Sequence, residues 1–248
     1  MQHFEAGFGW EGQVRHLVRK KYREDLAGLA HLDPQPLARL LRGELVGFRP
    51  YATIQWALRL VPFRPLEIYF LYDFDPEFGT DLRVLYARKS LVVPTEDAYV
   101  FAWDYLALLA RYGRGSFVLT DAGPGSEWLP FSDFAPPAAS PMKEVSLKLR
   151  EELLQEVSLG LVEVALRRMD CGAAEPWSQG WQVIWPLLGD LSLRLRQSER
   201  DLEVAFDNHG AGKYGPEFLL SFLWLYINAL LRECRQVEPS LPRLSRWL

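Results

Sequence analysis

The chain has 248 residues, 49% hydrophobic and 13% aromatic with nine Trp, enough apolar material for a real core, which excludes a disordered chain. A formal net charge of −4 gives no reason to expect nucleic acid as a partner, because a phosphate backbone wants a basic face. Two cysteines, Cys171 and Cys234, without a Cys-x-x-Cys or Cys/His spacing, exclude a disulfide framework and a structural zinc site, and point to a reducing, cytoplasmic setting.

The N-terminus, MQHFEAGFGWEG, has neither a basic nor an apolar leader region, so no secretion signal is expected. A helix is predicted over about 12–29, with VRHLVRKKYRE (14–24) as a solvated basic stripe, and a second over LARLLRG (37–43). Alternating runs then read as strands: TIQWALRLV (53–61) and LEIYFLYDF (66–74), with DPEFGTD (75–81) as the turn to a strand beginning at Asp81. Pro94 sits where the next helix would begin, and Arg111 with Gly113 would end it.

Residues 121–140, DAGPGSEWLPFSDFAPPAAS, read as a connector pinned by Trp128, Phe131 and Phe134. From Ser140-Pro141 one long helix is predicted to about Arg168, its apolar face carrying Val145, Leu149, Leu153, Val157 and Leu161. WQVIWPLL (181–188) and LSLRLRQ (191–197) follow as strands, SERD (198–201) as a turn, and a last helix runs from Pro216 with Arg232 in its final turn. That helix holds the longest apolar run, FLLSFLWLYINALL (218–231), which is short of the roughly 20 residues a membrane span needs. No membrane insertion is expected.

The two halves resemble each other. Asp81-Leu82 meets Asp201-Leu202, Val84 meets Val204, Pro94 meets Pro216, Trp103 meets Trp224, Tyr105 meets Tyr226, and Arg111 meets Arg232. The expected fold class is α+β: a first half over 1–120, the connector 121–140, and a second half over 141–248. Each half reads as helix, antiparallel β-meander, helix, and the two would pack as one body through an internal duplication. Six Lys against 22 Arg, and only two Asn (Asn208 and Asn228), fit a thermophilic host as well as a GC-rich genome.

DNHGAGKYGPE (207–217) invites comparison with a phosphate-binding loop. The P-loop pattern fails at both ends, since Tyr214 follows Gly212-Lys213 and Asp207 stands where its first glycine belongs. Gly210, Gly212 and Gly215 fit the G-x-G-x-x-G count, but the flanking strands read as a hairpin and not as a βαβ unit. Asp207, His209 and Lys213 remain the one sequence-local gathering of carboxylate, imidazole and ammonium, and so the candidate small-ligand site.

Other chemistry is sparse. Asp73, Asp75, Glu77 and Asp81 read as a polar hairpin turn, because the EF-hand spacing is not met. Asp104 stands in an apolar helix and would be a general acid only if buried without a partner. Cys171 and Cys234 read as structural, and neither a metal site nor a cofactor is expected. Trp10, Trp177, Trp181 and Trp247 fall in segments that read as irregular, where aromatic side chains would serve as interface anchors.

WDYLALL (103–109), EWLPFSDF (127–134), WPLLGDLSLRL (185–195) and AFD (205–207) together resemble an uncharacterised prokaryotic family known as a domain of unknown function. The resemblance carries no catalytic residues with it. The chain therefore reads as a non-catalytic accessory protein acting through a protein partner or a homo-oligomer. The alternative is a ligand-binding protein or enzyme with its site between the halves, at Asp207, His209 and Lys213.

Overall fold

The computed structural model describes residues 10–48, 54–116, 127–133, 150–198 and 201–243. The fold is α+β, with antiparallel sheets and mixed helices. The chain divides into two compact units, Met1–Asp121 and Ala122–Leu248.

The first unit opens with helix α1 (Trp10–His16), a π-helical turn (Leu17–Lys21), α2 (Arg23–Ala27) and a 3-10 turn (Gly28–His31). Helix α3 (Pro34–Leu40) follows, N-capped by Asp33, whose side chain accepts from the Gln35 amide. A four-stranded sheet comes next: β1 (Glu44–Val46), β2 (Trp56–Phe63), β3 (Leu66–Asp75) and β4 (Gly79–Tyr86), paired in chain order. A 3-10 turn (Arg88–Val92) leads to α4 (Thr95–Gly113). The strands, turn and helix read from the sequence are present, and β1 is an addition.

β3 is buried from Leu66 through Tyr72, so it is covered on both faces. One face meets α4, where Phe70 lies edge-on to Tyr105 with ring centroids 6.5 Å apart. On the other, Ala57, Tyr69, Leu71 and Leu85 cluster under Val46, Phe48 and Ile54. The Tyr72 hydroxyl donates to the Leu26 carbonyl at 2.9 Å and ties the sheet to the N-terminal helices.

In the second unit, β5 (Trp128–Pro130) lies within the stretch read as a connector and is followed by a 3-10 turn (Phe131–Asp133). Residues 150–155 are helical, and α5 (Leu159–Met169) begins afresh after a break. The single long helix expected from Ser140 to Arg168 is thus interrupted at Val157-Ser158, while its residues 140–149 lie outside the described residues. Ser158 adopts an extended conformation and caps α5 by accepting from the Leu161 amide, and the freed Val157 carbonyl accepts the Trp181 indole N–H at 2.8 Å.

Asp170 and Gly172 turn the chain through positive φ into β6 (Ala173–Trp177). β7 (Gly180–Leu188), β8 (Leu191–Gln197) and β9 (Leu202–Asp207) complete a five-stranded sheet of order β5-β9-β8-β7-β6. A single turn, α6 (Asn208–Ala211), leads to α7 (Pro216–Val237), which runs past the expected Arg232 and ends with Arg235 in its last turn. PWSQGW (176–181), read as irregular, is a β6–β7 hairpin.

The pairing registers of the two sheets correspond. Leu60 opposes Ile68 as Trp185 opposes Leu193, and each register then slips before Phe63 meets Leu66 or Leu188 meets Leu191. Val84 opposes Phe70 as Val204 opposes Leu195. On this count Val84 corresponds to Val204, the match read from the sequence.

Two glycines let the helices of the first unit approach closely. A Cβ on Gly113 would lie 2.0 Å from the Asp25 carbonyl oxygen, and one on Gly28 would lie 2.2 Å from the Gly113 oxygen. Gly113→Ala is therefore expected to lower the unfolding free energy by about 2 kcal/mol, as overpacking does. Urea unfolding checks this, with Gly212→Ala, where nothing lies within 4 Å of the added carbon, as the neutral control.

Candidate functional site

The glycine loop is held by its own fold. Asp207 ends β9 fully buried; its Oδ1 accepts from the Gly210 amide at 2.9 Å and its Oδ2 from the Ser192 amide at 2.5 Å. It works as the cap of α6 and the anchor of β8. Lys213 Nζ lies 2.7 Å from Asp190 Oδ2, and the other Asp190 oxygen accepts from the Tyr214 hydroxyl at 2.8 Å. The side chain of His209 lies outside the described residues. Gly210 is small because a Cβ there would fall 2.1 Å from the Asp190 carbonyl oxygen. Asp190, 1% exposed, was not singled out in the sequence, although the Gly-Asp turn of WPLLGDLSL marks it.

The acidic hairpin is a turn. Asp75 Oδ1 accepts from the Glu77 and Phe78 amides at 2.7 and 2.9 Å, and Gly79 takes φ 85°. Asp104 is half-buried on α4. Among the described residues, no three His, Cys, Asp or Glu side chains gather as a metal site, and no helix is long and apolar enough to cross a membrane. Cys171 is half-buried beyond α5, whereas Cys234 is fully buried in α7. Burial, with the Glu233 charge beside it, pushes the Cys234 thiol up to about 12.

In the first unit the conspicuous charged group is Glu67, 5% exposed on β3. Arg59 Nε donates to it at 2.6 Å, and Lys89 and the Tyr69 hydroxyl donate as well. Arg59 also reaches Glu44 at 2.5 Å. Burial works against ionisation of Glu67, but the three donors outweigh it and hold the carboxyl at about 2. Every oxygen of this carboxylate is engaged, which makes it a clasp between β2, β3 and the following turn.

The second sheet presents a different outer face. Its inner face carries Val183, Trp185, Leu193, Leu195, Val204 and Phe206, all buried. Because side chains alternate, the outer face carries Gln182, Arg194, Arg196, Glu203 and Glu175. Glu175, Gln182, Arg196 and Glu203 stand opposite one another on four neighbouring strands.

Two tryptophans flank this row. The Arg196 guanidinium lies over the Trp177 ring at 3.5 Å from its centroid, and that of Arg194 over Trp128 at 4.6 Å. Arg196 Nε donates to Gln182 Oε1 at 2.8 Å, and Gln182 in turn donates to Glu175. Arg194 Nη2 pairs with Glu203 at 2.7 Å. Its Nε is buried with no hydrogen-bond partner among the described residues.

Of the four tryptophans expected at an interface, Trp177 is 39% exposed at the hairpin tip of this face. Trp181 is 1% exposed, because the alternation of β7 turns it inward to meet Val157. The side chain of Trp10 and all of Trp247 lie outside the described residues. Sequence reasoning missed the arginines; the alternating LSLRLRQ marks Arg194 and Arg196 as the face opposite the leucines.

Comparison with family models, with curated proteins and with solved structures finds no match.

The Glu67 clasp has a pH signature. Its folded carboxyl titrates at about 2, below the ordinary value, so its stabilisation is complete above about pH 5 and is lost as pH falls toward 2. Glu67→Gln is expected to cost about 2–3 kcal/mol at pH 7 and to flatten the loss of stability between about pH 4.5 and 2.5. Urea midpoints across that range measure both effects.

Proposed function

We propose that the chain is a non-catalytic binding protein, a cytoplasmic accessory subunit that acts by protein–protein association through the outer face of the β6–β9 sheet. The observation that carries this reading is the Arg196 guanidinium stacked 3.5 Å over a Trp177 ring that is itself 39% exposed. Tryptophan and arginine are the residue types most often found as interface hot spots. An arginine ordinarily loses about 2 kcal/mol of rotamer entropy when a partner immobilises it. Here Trp177 and Gln182 have already fixed it in the fold, so association is spared that cost.

The buried, fully bonded Asp207 and the Asp190-paired Lys213 give no comparable support to the ligand reading. The matched registers of the two sheets support duplication of an ancestral unit, which is the origin we propose for the repeat.

Affinity capture of the full chain from its host's extract tests the association. Trp177→Ala and Arg196→Ala are each expected to reduce the recovered stoichiometric protein by about tenfold or more, the scale of a hot spot. Lys213→Ala is expected to leave recovery unchanged. Full recovery with both face variants would remove the basis for this reading.

A further inference from the structure

We infer that the partner on this face is a second copy of the chain, an inference that rests on the association reading above. The face carries two guanidinium groups, Arg194 and Arg196, and two carboxylates, Glu175 and Glu203. These four charges balance, with Arg194 buried against Trp128 and paired to Glu203, so the row itself offers little to steer a strongly acidic or strongly basic partner. A patch that holds both signs side by side is instead suited to itself, which is what an isologous twofold interface requires.

The placement of the charges fits such an axis. Arg196 on β8 and Glu203 on β9 stand directly opposite each other in the sheet. A twofold axis lying in the interface, parallel to the strands and between β8 and β9, sets β8 of each copy over β9 of the other. Each Arg196 then meets the other copy's Glu203.

Both groups have capacity left for this. The internal approach of Arg196 Nη1 to the Glu203 oxygens is long, at 3.4 and 3.5 Å. Arg196 Nη2 makes no hydrogen bond among the described residues, and the Glu203 side chain is 42% exposed. A carboxylate from the second copy would complete the guanidinium fork bidentately, the strong geometry for this pair. Trp177 then serves as a wall that keeps the guanidinium plane in position while water is excluded around it.

Sedimentation equilibrium of the purified full chain over a concentration series tests the inference. The wild type is expected to be a dimer. Arg196→Glu and Glu203→Arg each bring like charges together across the axis, so each alone is expected to raise the dissociation constant by at least about tenfold. An equimolar mixture of the two variants restores both cross-copy pairs and is expected to dimerise again. Circular dichroism melts of the separate variants establish that both are folded.

A wild type that stays monomeric overturns the inference, as does a dimer indifferent to both substitutions, or folded variants whose mixture fails to associate. If the wild type is monomeric but Trp177→Ala still loses a captured protein from extract, the association reading stands and only the second copy falls. If neither measurement responds to the face, both fall.

Discussion

A buried amide at the start of each central strand fixes the rest of its unit. The residues that open β3 and β8 are buried, and an unpaired N–H there would cost about 1–3 kcal/mol. In both units the second residue of the strand donates to a side chain near the end of the meander, Ser90 in the turn after β4 and Asp207 as the last residue of β9. The Glu67 amide donates to Ser90 Oγ at 2.9 Å, and the Ser192 amide to Asp207 Oδ2 at 2.5 Å. That bond pins the connector beneath the sheet and so fixes where α4 or α7 enters. A hydroxyl in one unit and a carboxylate in the other accept from corresponding amides.

The meanders and the helices after them are legible because alternation over seven to nine residues ends cleanly at Asp75 and Ser198, and because Pro94 and Pro216 mark the helix starts. Short strands carried no such signal: Glu44–Val46 and Trp128–Pro130 are too brief for a period, and their pairing is supplied by β2 and β9. The break at Val157-Ser158 was hidden because Leu153, Val157 and Leu161 keep helical spacing across it. What interrupts the helix is a long-range bond, from Trp181 to the Val157 carbonyl. The candidate face stayed unread for a related reason. The segments around the tryptophans look irregular in the sequence and give no facing direction, whereas the register decides which of Trp177 and Trp181 faces out.

Register also shows how one scaffold carries two surfaces. Leu71 opposes Ala57 as Arg196 opposes Gln182, and Tyr69 opposes Arg59 as Arg194 opposes Ile184. At these matching positions the first unit places a leucine and a tyrosine, closed over by Phe48 and Ile54. The second places two arginines under tryptophans. The first face is finished within its own unit by apolar burial and the Glu67 clasp. The second is ordered by stacking that leaves hydrogen-bonding capacity at its edge.

The depth of Cys234 has a practical corollary. A thiol held at about 12 and shut inside α7 carries almost no thiolate at neutral pH, so alkylating and oxidising reagents have nothing there to attack. Of the two cysteines, Cys171 is the half-buried one. It lies between α5 and the β6–β7 hairpin that carries Trp177. A thiol reagent applied to the folded chain therefore leaves Cys234 untouched, and Cys234 need not be removed before a cysteine is introduced elsewhere.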